Sequence, residues 1–387
     1  MKKSLFVSGF SWLLAVLITA GSLWAESPKM REALQPFIDR GEMPGIVSVL
    51  ATKDKILQID CVGYADVEKQ IPIAPDQVLW IASTTKFFTS TALMMLVDEG
   101  KVSLDDPIEK YLPEMANLKV GLVKQDNLLV LQTPENKPTV RHALSHQSGW
   151  PFQTEMMDKF GSDCLPLQKE LFEISRTPLN FQPGTNFNYS ELGIDVAGGI
   201  IEVVTGKSYE DFLQERIFDP LGMKDTSFWP SQELQQNRWL QCHTKNADGK
   251  LERCDIPMMK HPYEDKNVRF PEPGSGIFST ANDLTKFFQM HAAGGVYEGK
   301  RYISQESIDE MHKKQTPENV PNVYGLGSFI DNNWFGHAGA CGNQCWASTD
   351  GLVRLYIVQI SNIPQNGDAI NAWTNAADAI FQEEGLR

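Results

Sequence analysis

Apolar and polar positions along the chain fall into a few periodic runs. Between Met30 and Arg40, Leu34, Phe37 and Ile38 share one helical face, and Gly41 and Pro44 stop the run, which predicts an amphipathic helix. Ile46 to Ala51 and Ile56 to Val62 read as two strands around the turn Lys53-Asp54-Lys55. A long helix is predicted after Ser83, with Phe87, Phe88, Leu93, Met94 and Leu96 as apolar positions and Gly100 as its stop. Residues 118–137 alternate weakly, the pattern of a small β-insertion. From Val140 to Phe228 the reading is mostly helical, punctuated by Gly149, Pro183-Gly184, Gly206 and Pro220. Leu352 to Ser361 is an apolar strand and Ala369 to Phe381 a terminal helix. Strands near both chain ends with helices between them predict an α/β fold, in which the two ends build one layer and a helical lobe is inserted between them. No repeat, low-complexity tract or Gly/Ser linker divides residues 26–387, so they read as one domain.

The first residues change this picture. Met1-Lys2-Lys3 is positive, Leu5 to Ala20 is uncharged and apolar, and Ser22-Leu23-Trp24-Ala25 offers a cleavage point before Glu26. Residues 1–25 therefore read as a secretory signal, and the mature protein is expected to be exported, periplasmic or secreted. Leu23 stands where a small residue is preferred, so an uncleaved N-terminal anchor is the alternative. No cysteine precedes Cys61, which leaves no lipid attachment site there. No later run approaches the roughly 20 apolar residues that a membrane span needs. The formal net charge of −14 and the lack of any Lys/Arg-rich stretch argue against a nucleic-acid partner.

Export would permit disulfides among the six cysteines. Cys242 and Cys254 lie almost symmetrically about the turn Asn246-Ala247-Asp248-Gly249 and would face each other in a hairpin, so this pair is expected to bond. Cys341 and Cys345 would close a small loop only if Gly342-Asn343 turns the chain. Cys61 and Cys164 read as buried thiols.

Three short segments carry candidate chemistry. In Ser83-Thr84-Thr85-Lys86, a spacing of three along a helix puts the amine beside the hydroxyl, and the helix start favours an oxyanion over an ammonium. A partly desolvated Lys86 would then be poised to take the serine proton. Tyr189, in Tyr189-Ser190-Glu191, stands between the turn Gln182-Pro183-Gly184-Thr185 and the helix Leu192 to Val204. Its phenol would relay a proton once a nearby cation lowers its pKa. In Gly336-His337-Ala338-Gly339-Ala340, small residues permit close approach of a substrate to the strand edge, and a backbone N–H there would complete an oxyanion hole. Each segment alone reads more simply as ordinary packing; their order along the chain is what carries the signal.

Ser-x-x-Lys, then Tyr-Ser-x about a hundred residues on, then His-x-Gly near the C-terminus resembles the serine β-lactamase and penicillin-binding superfamily. Within it the chain is similar to class C β-lactamases, the related D-alanyl-D-alanine peptidases and the family VIII carboxylesterases. The likeness extends from about residue 35 to residue 385. It includes Val78 to Ala82, Thr139 to Gly149, Phe218-Asp219-Pro220-Leu221-Gly222-Met223 and Gly276-Ile277-Phe278-Ser279-Thr280-Ala281. The resemblance implies a β-lactamase/transpeptidase-like fold, an antiparallel sheet flanked by terminal helices with an inserted, mostly helical lobe. It implies that Ser83 is acylated, that Lys86 and Tyr189 share acid and base duties, and that the N–H groups of Ser83 and Ala340 form the oxyanion hole. Glu191, His337, Gly339 and Ala340 are the implied substrate-binding positions, with His337 where many relatives carry the lysine of Lys-Thr-Gly.

Two departures bear on substrate. Relatives that process β-lactams usually read Tyr-x-Asn, whereas here the third residue is Glu191. A carboxylate cannot donate to an acyl-amide oxygen, and near Lys86 it would hold that lysine charged and shift base duty towards Tyr189. His337, neutral much of the time near pH 7, would grip a substrate carboxylate less firmly than lysine does. Tyr189-Ser190 followed by Asp195-Val196 also resembles the esterase branch. The expected activity is therefore carboxylesterase-like, on small acyl esters, with a D-alanyl-D-alanine carboxypeptidase, a β-lactamase or an inactive binding module as alternatives. A small ester or peptide is the expected partner, and no cofactor or metal is expected. His142 and His146 have the spacing of a zinc pair but lack an adjacent acid and a third ligand. Cys341 and Cys345 complete no zinc site with His337. No Gly-x-Ser-x-Gly elbow occurs, and Gly274-Ser275-Gly276 is too short for a dinucleotide fingerprint.

Overall fold

The computed structural model describes residues 28–124, 128–364 and 366–387, so the proposed signal at residues 1–25 lies outside the described residues. Helix α1 (Pro28–Asp39) leads into strands β1 (Gly45–Thr52), β2 (Ile56–Asp66) and β3 (Ile71–Pro72). Helix α2 (Thr85–Asp98) follows, and the helices of the middle region include α3 (Glu191–Thr205) and α4 (Ala281–Ala292). The chain then returns with β4 (Phe329–Asp331), β5 (Trp334–Ala338), β6 (Gln344–Ser348), β7 (Leu352–Ile357) and the terminal helix α5 (Asn366–Glu383). These strands make one seven-stranded antiparallel sheet in the order β4-β5-β6-β7-β1-β2-β3. The two chain ends meet where β1 pairs with β7, Val47 opposite Ile357 and Thr52 opposite Leu352. That is the layer expected from the strands at the chain ends.

Period-2 patterning explains how the sheet is covered on both faces. In β1, Val47, Val49 and Ala51 enter the large core shared with α2 and α4. Ile46 and Leu50 enter a second core with Leu34 of α1 and Trp373, Ile380 and Phe381 of α5. In β7, Val353, Leu355 and Ile357 take the first face, and Leu352 and Tyr356 the second. Strands apolar on both faces, interrupted only by Ser48 in β1 and Arg354 in β7, are what a sheet covered on both sides requires. Residues Val120–Lys124 and Leu128–Gln132 form a hairpin, as the weak alternation there suggested. No helix among the described residues is long and apolar enough to cross a membrane.

Two expectations need correction. The last strand ends at Ile357 rather than Ser361. Beyond it the Gln359 side chain turns inward, accepting from the Trp80 N–H at 2.7 Å and donating to the Leu240 carbonyl at 2.6 Å, which takes the segment out of the ladder. Cys242 and Cys254 do face each other across a hairpin, next to the pair His243 and Arg253, but both are free thiols with sulfurs 3.4 Å apart. Cys341 and Cys345 are also free and belong to different apolar clusters, because Cys345 lies in β6 while Cys341 precedes the turn glycine Gly342.

Leu355 is fully buried in the larger core, whereas Phe172 is 54% exposed. Urea denaturation is expected to show Leu355→Ala losing about 2–5 kcal/mol of stability through lost transfer energy and a residual cavity. Phe172→Ala is expected to stay within about 0.5 kcal/mol of the parent.

Candidate active site

Every residue from Gln77 to Leu96 is buried except Ser83, so this hydroxyl is the one opening in an otherwise solvent-free run. The exposure has a local cause. Ser83 lies in a 3-10 turn, Ala82–Thr84, that precedes α2, and Ala82 adopts a φ of 48°. A left-handed conformation costs a residue with a Cβ about 1–2 kcal/mol, and here it turns the chain sharply enough to aim Ser83 out of the core. No glycine marks this turn, so the sequence pattern does not reveal it.

One turn further on, Lys86 is fully buried, and its ammonium group uses its donors completely. It reaches both Glu191 carboxylate oxygens at 2.7 Å, the Gly274 carbonyl at 3.0 Å and Ser83 Oγ at 3.2 Å. Burial alone would lower its pKa, but the carboxylate of Glu191, with smaller contributions from Tyr189 and Glu272, holds it well above the ordinary lysine range. A lysine poised to accept a proton was one expectation. The structure instead holds a charged one, because α3 presents Glu191 in its first turn directly opposite. Gly274 is required for this arrangement, since a Cβ there would overlap the Glu191 carboxylate.

Tyr189 comes in from the loop before α3, which puts its hydroxyl beside the Ser83 and Lys86 side chains. The ammonium group also lies 4.9 Å from the centre of its ring. The phenol was expected to have a lowered pKa, but burial outweighs the Lys86 charge and the pKa is raised. His337, on β5, is buried. Its Nδ1 donates to the Ala338 carbonyl at 2.7 Å, which leaves Nε2 as an acceptor for Tyr324 at 3.2 Å and Tyr189 at 3.4 Å. Burial, reinforced by the Lys86 charge, pushes its pKa down to about 3, so the ring is neutral at working pH. Gly339 lets the end of β5 lie against the serine turn, because a Cβ there would sit 2.6 Å from the Ile81 carbonyl oxygen and collide with Asn343. Asn343 also accepts from the Thr84 hydroxyl at 3.1 Å. Ala340 is exposed one residue beyond. Ser83, Lys86, Tyr189, Glu191 and His337 are thus brought together, with Gly339 and Ala340 on the adjoining strand end.

The zinc-like histidine pair separates into two unrelated roles. His142 Nδ1 accepts from the Thr139 N–H in a helix capping box, while His146 packs 4.5 Å from the Tyr189 ring and accepts from the Ser190 N–H. Among the described residues no group of three or more His, Cys, Asp or Glu is placed to hold a metal ion. The sequence reading missed a buried acidic cluster behind Lys86, made of Glu170, Asp195, Glu272 and Glu191. Acids on otherwise apolar helix faces were its visible signal: Asp195 stands one turn after Glu191, and Glu170 lies beside Leu167, Leu171 and Ile174.

Burial, followed by the charge of Glu191, raises Glu272 to about 8 from an ordinary 4.5. Burial and neighbouring acids also raise Glu170 and Asp195 well above their ordinary values. The folded protein therefore keeps protons that the unfolded chain has already released. This contribution to stability is fully present below the ordinary carboxyl pKa and is lost as pH rises through the folded value. The share of unfolding free energy contributed by Glu272 is expected to fall between pH 5 and 8, against the opposite trend below about 6.5 from buried neutral histidines such as His337. The stability of the parent over Glu272→Gln in urea denaturations is therefore expected to shrink across the range, and a difference that does not change with pH would contradict the account.

Residues 30–381 match the family described as Beta-lactamase. Over 212 residues the chain is 37% identical to the lovastatin esterase of Penicillium rubens, covering 52% of this chain and 53% of that one. It is 27% identical over 335 residues to an Escherichia coli protein named "Putative D-alanyl-D-alanine carboxypeptidase", covering 79% of this chain and 73% of the other. Among solved structures, simvastatin synthase (LovD) from Aspergillus terreus matches with a TM-score of 0.76 at 22% identity, over 91% of this chain and 98% of that one, a likeness that concerns the fold. With a family match running almost from end to end of the described residues, this chain is a serine hydrolase and belongs to the Beta-lactamase family.

Proposed function

We propose that this chain is a carboxylesterase-like hydrolase of small acyl esters, working through an acyl-enzyme on Ser83. The observation that carries the reading is the buried pair of Lys86 and Glu191. It occupies with a carboxylate the place where an amide would greet an acyl-amide substrate, and it balances the charge of the lysine while keeping it an ammonium. The second position for gripping a substrate carboxylate is His337, a neutral imidazole engaged with two phenols. An anionic amide substrate would therefore meet little recognition at either position, whereas an ester needs neither. The likeness to a lovastatin esterase supports the same choice.

In this mechanism Lys86 donates to Ser83 Oγ, so the serine proton must point elsewhere, towards Tyr189. Tyr189 stays protonated near neutral pH and acts as a relay. It takes the Ser83 proton on its oxygen while its own proton moves towards His337 Nε2. Ser83 Oγ bonds to the acyl carbon, and the N–H groups of Ser83 and Ala340 receive the developing oxyanion. His337 is a weak base, so the proton returns promptly through Tyr189 to the departing alkoxide, and the alcohol leaves. Water then repeats the sequence on the acyl-enzyme and regenerates Ser83. Lys86 remains an ammonium throughout, stabilising negative charge near Ser83. Export, drawn from residues 1–25, is part of this proposal.

The second reading is a D-alanyl-D-alanine carboxypeptidase, favoured by the name of the Escherichia coli relative. A parallel panel separates the two. Hydrolysis of p-nitrophenyl acyl esters is expected to exceed that of an acyl-D-Ala-D-Ala peptide and of a β-lactam, and the opposite ranking would reject the esterase reading. Ser83→Ala is expected to abolish both turnover and fluorophosphonate labelling. Tyr189→Phe is expected to lower kcat by about 10²–10⁴. Glu191→Asn frees Lys86 and supplies an amide donor, so the ratio of peptide to ester kcat/KM is expected to rise about tenfold or more, equivalent to about 1.4 kcal/mol. An unmoved ratio would remove Glu191 from the account of specificity.

A further inference from the structure

Away from the serine pocket, three of the six cysteines converge. Cys242, Cys254 and Cys341 pack in one apolar cluster with Val78, Trp80 and Phe278. Cys242 and Cys254 are cross-strand neighbours, tied by the Cys254 N–H donating to the Cys242 carbonyl at 2.9 Å, with their sulfurs 3.4 Å apart. Cys341 is buried in the same cluster, close enough to Cys242 to perturb its thiol. Cys242 is therefore the common neighbour of the other two. Cys242 and Cys341 are buried, while Cys254 is partly exposed. Cys341 directly follows Ala340 in the turn between β5 and β6, and its carbonyl accepts from the Ile360 N–H at 3.0 Å.

We propose that these residues form a three-thiol site in which Cys242 closes a disulfide with Cys254 and passes it on to Cys341. Entry is at Cys254, the most accessible of the three thiols, and the oxidant is a low-molecular-weight disulfide such as oxidised glutathione. The Cys254 thiolate attacks one glutathione sulfur, forming a mixed disulfide and releasing one glutathione thiolate. The Cys242 thiolate attacks the Cys254 sulfur, closing the internal bond and releasing the second glutathione. The two electrons end on glutathione, and the protons lost from the two thiols go to the two glutathione thiolates. Attack of the Cys341 thiolate on Cys242 then transfers the bond and returns Cys254 to a thiol, with no further change in oxidation state. A bond to Cys254 staples one hairpin. A bond to Cys341 ties that hairpin to the turn that carries Ala340, and it closes a much longer loop, constraining the unfolded chain more. The neighbouring Cys341 and burial hold the Cys242 thiol above its ordinary range, and burial pushes Cys254 up to about 12. Such thiols are poor leaving groups, so exchange is slow and the two bonded forms persist long enough to be mapped.

The site stands independently of the esterase reading, and its test does not use activity. The folded full chain is incubated with oxidised glutathione, alkylated in denaturant without reductant, and mapped by non-reducing peptide mass spectrometry. The parent is expected to lose two titratable thiols and to link Cys242 to Cys254 or Cys341. Cys254→Ser, at a partly exposed position where folding is not threatened, is expected to retain a Cys242–Cys341 link, and Cys341→Ser a Cys242–Cys254 link. Cys242→Ser and Cys242→Ala are expected to form no internal bond and to hold a glutathione adduct on Cys254. Retention of all thiols in Cys254→Ser would remove Cys341 from the site. A Cys254–Cys341 link forming as readily without Cys242 would overturn the central role given to that residue.

Discussion

A lysine ammonium sealed from solvent beside the candidate nucleophile is the constraint around which the rest of the site is arranged. Leaving such a charge uncompensated would cost several kcal/mol, so each of its hydrogens must meet an acceptor. Glu191 supplies the opposite charge, the Gly274 carbonyl a dipole, and Ser83 Oγ the remaining contact. These partners come from the turn before α2, the first turn of α3 and the loop before α4, so satisfying one ammonium fixes three separate pieces of the chain. The glycine at 274 follows from the same demand, because any side chain there would occupy the place of the carboxylate.

Compensation does not extend to all the acids nearby. Glu170, Asp195, Glu272 and Glu191 crowd behind a single lysine, while Arg269 is committed to Asp163. Too few cations are at hand for all these carboxyls to ionise, and burial with mutual repulsion keeps Glu272, Asp195 and Glu170 protonated more readily than in water. The protein thus holds neutral acids close to its charged lysine. The same burial that raises these acids lowers His337 and raises Tyr189, so Lys86 is the persistent positive charge beside Ser83.

The sheet supports this centre from beneath. Because β1 and β7 are apolar on both faces, α1 and α5 cover one side while α2 and α4 cover the other. Helix α2 is held by the larger core along nearly its whole length. The left-handed Ala82 at its approach is tolerated because packing on both sides leaves the turn no alternative. Gly339 then lets the end of β5 close upon that turn.

Much of this is legible in the sequence. Periodicity located α1, β1, β2, the hairpin at residues 120–132 and the terminal helix, since each is a local amphipathic or apolar pattern with a turn residue at its end. The ordered motifs that resemble the β-lactamase and penicillin-binding superfamily named Ser83, Lys86, Tyr189 and His337, which meet in the structure, and a carboxylate at Glu191 implied the charged lysine. Other features depended on groups that touch only after folding. The raised Tyr189 phenol reflects burial that no local pattern records. Glu272 and Asp195 reach the same site from segments far apart in the chain, and Gln359 ends β7 by bonding to backbone more than a hundred residues away. Residue types and their spacing determine which chemistry is available and which local elements form, whereas protonation states and strand ends are settled by desolvation and by partners that only the tertiary structure brings within reach.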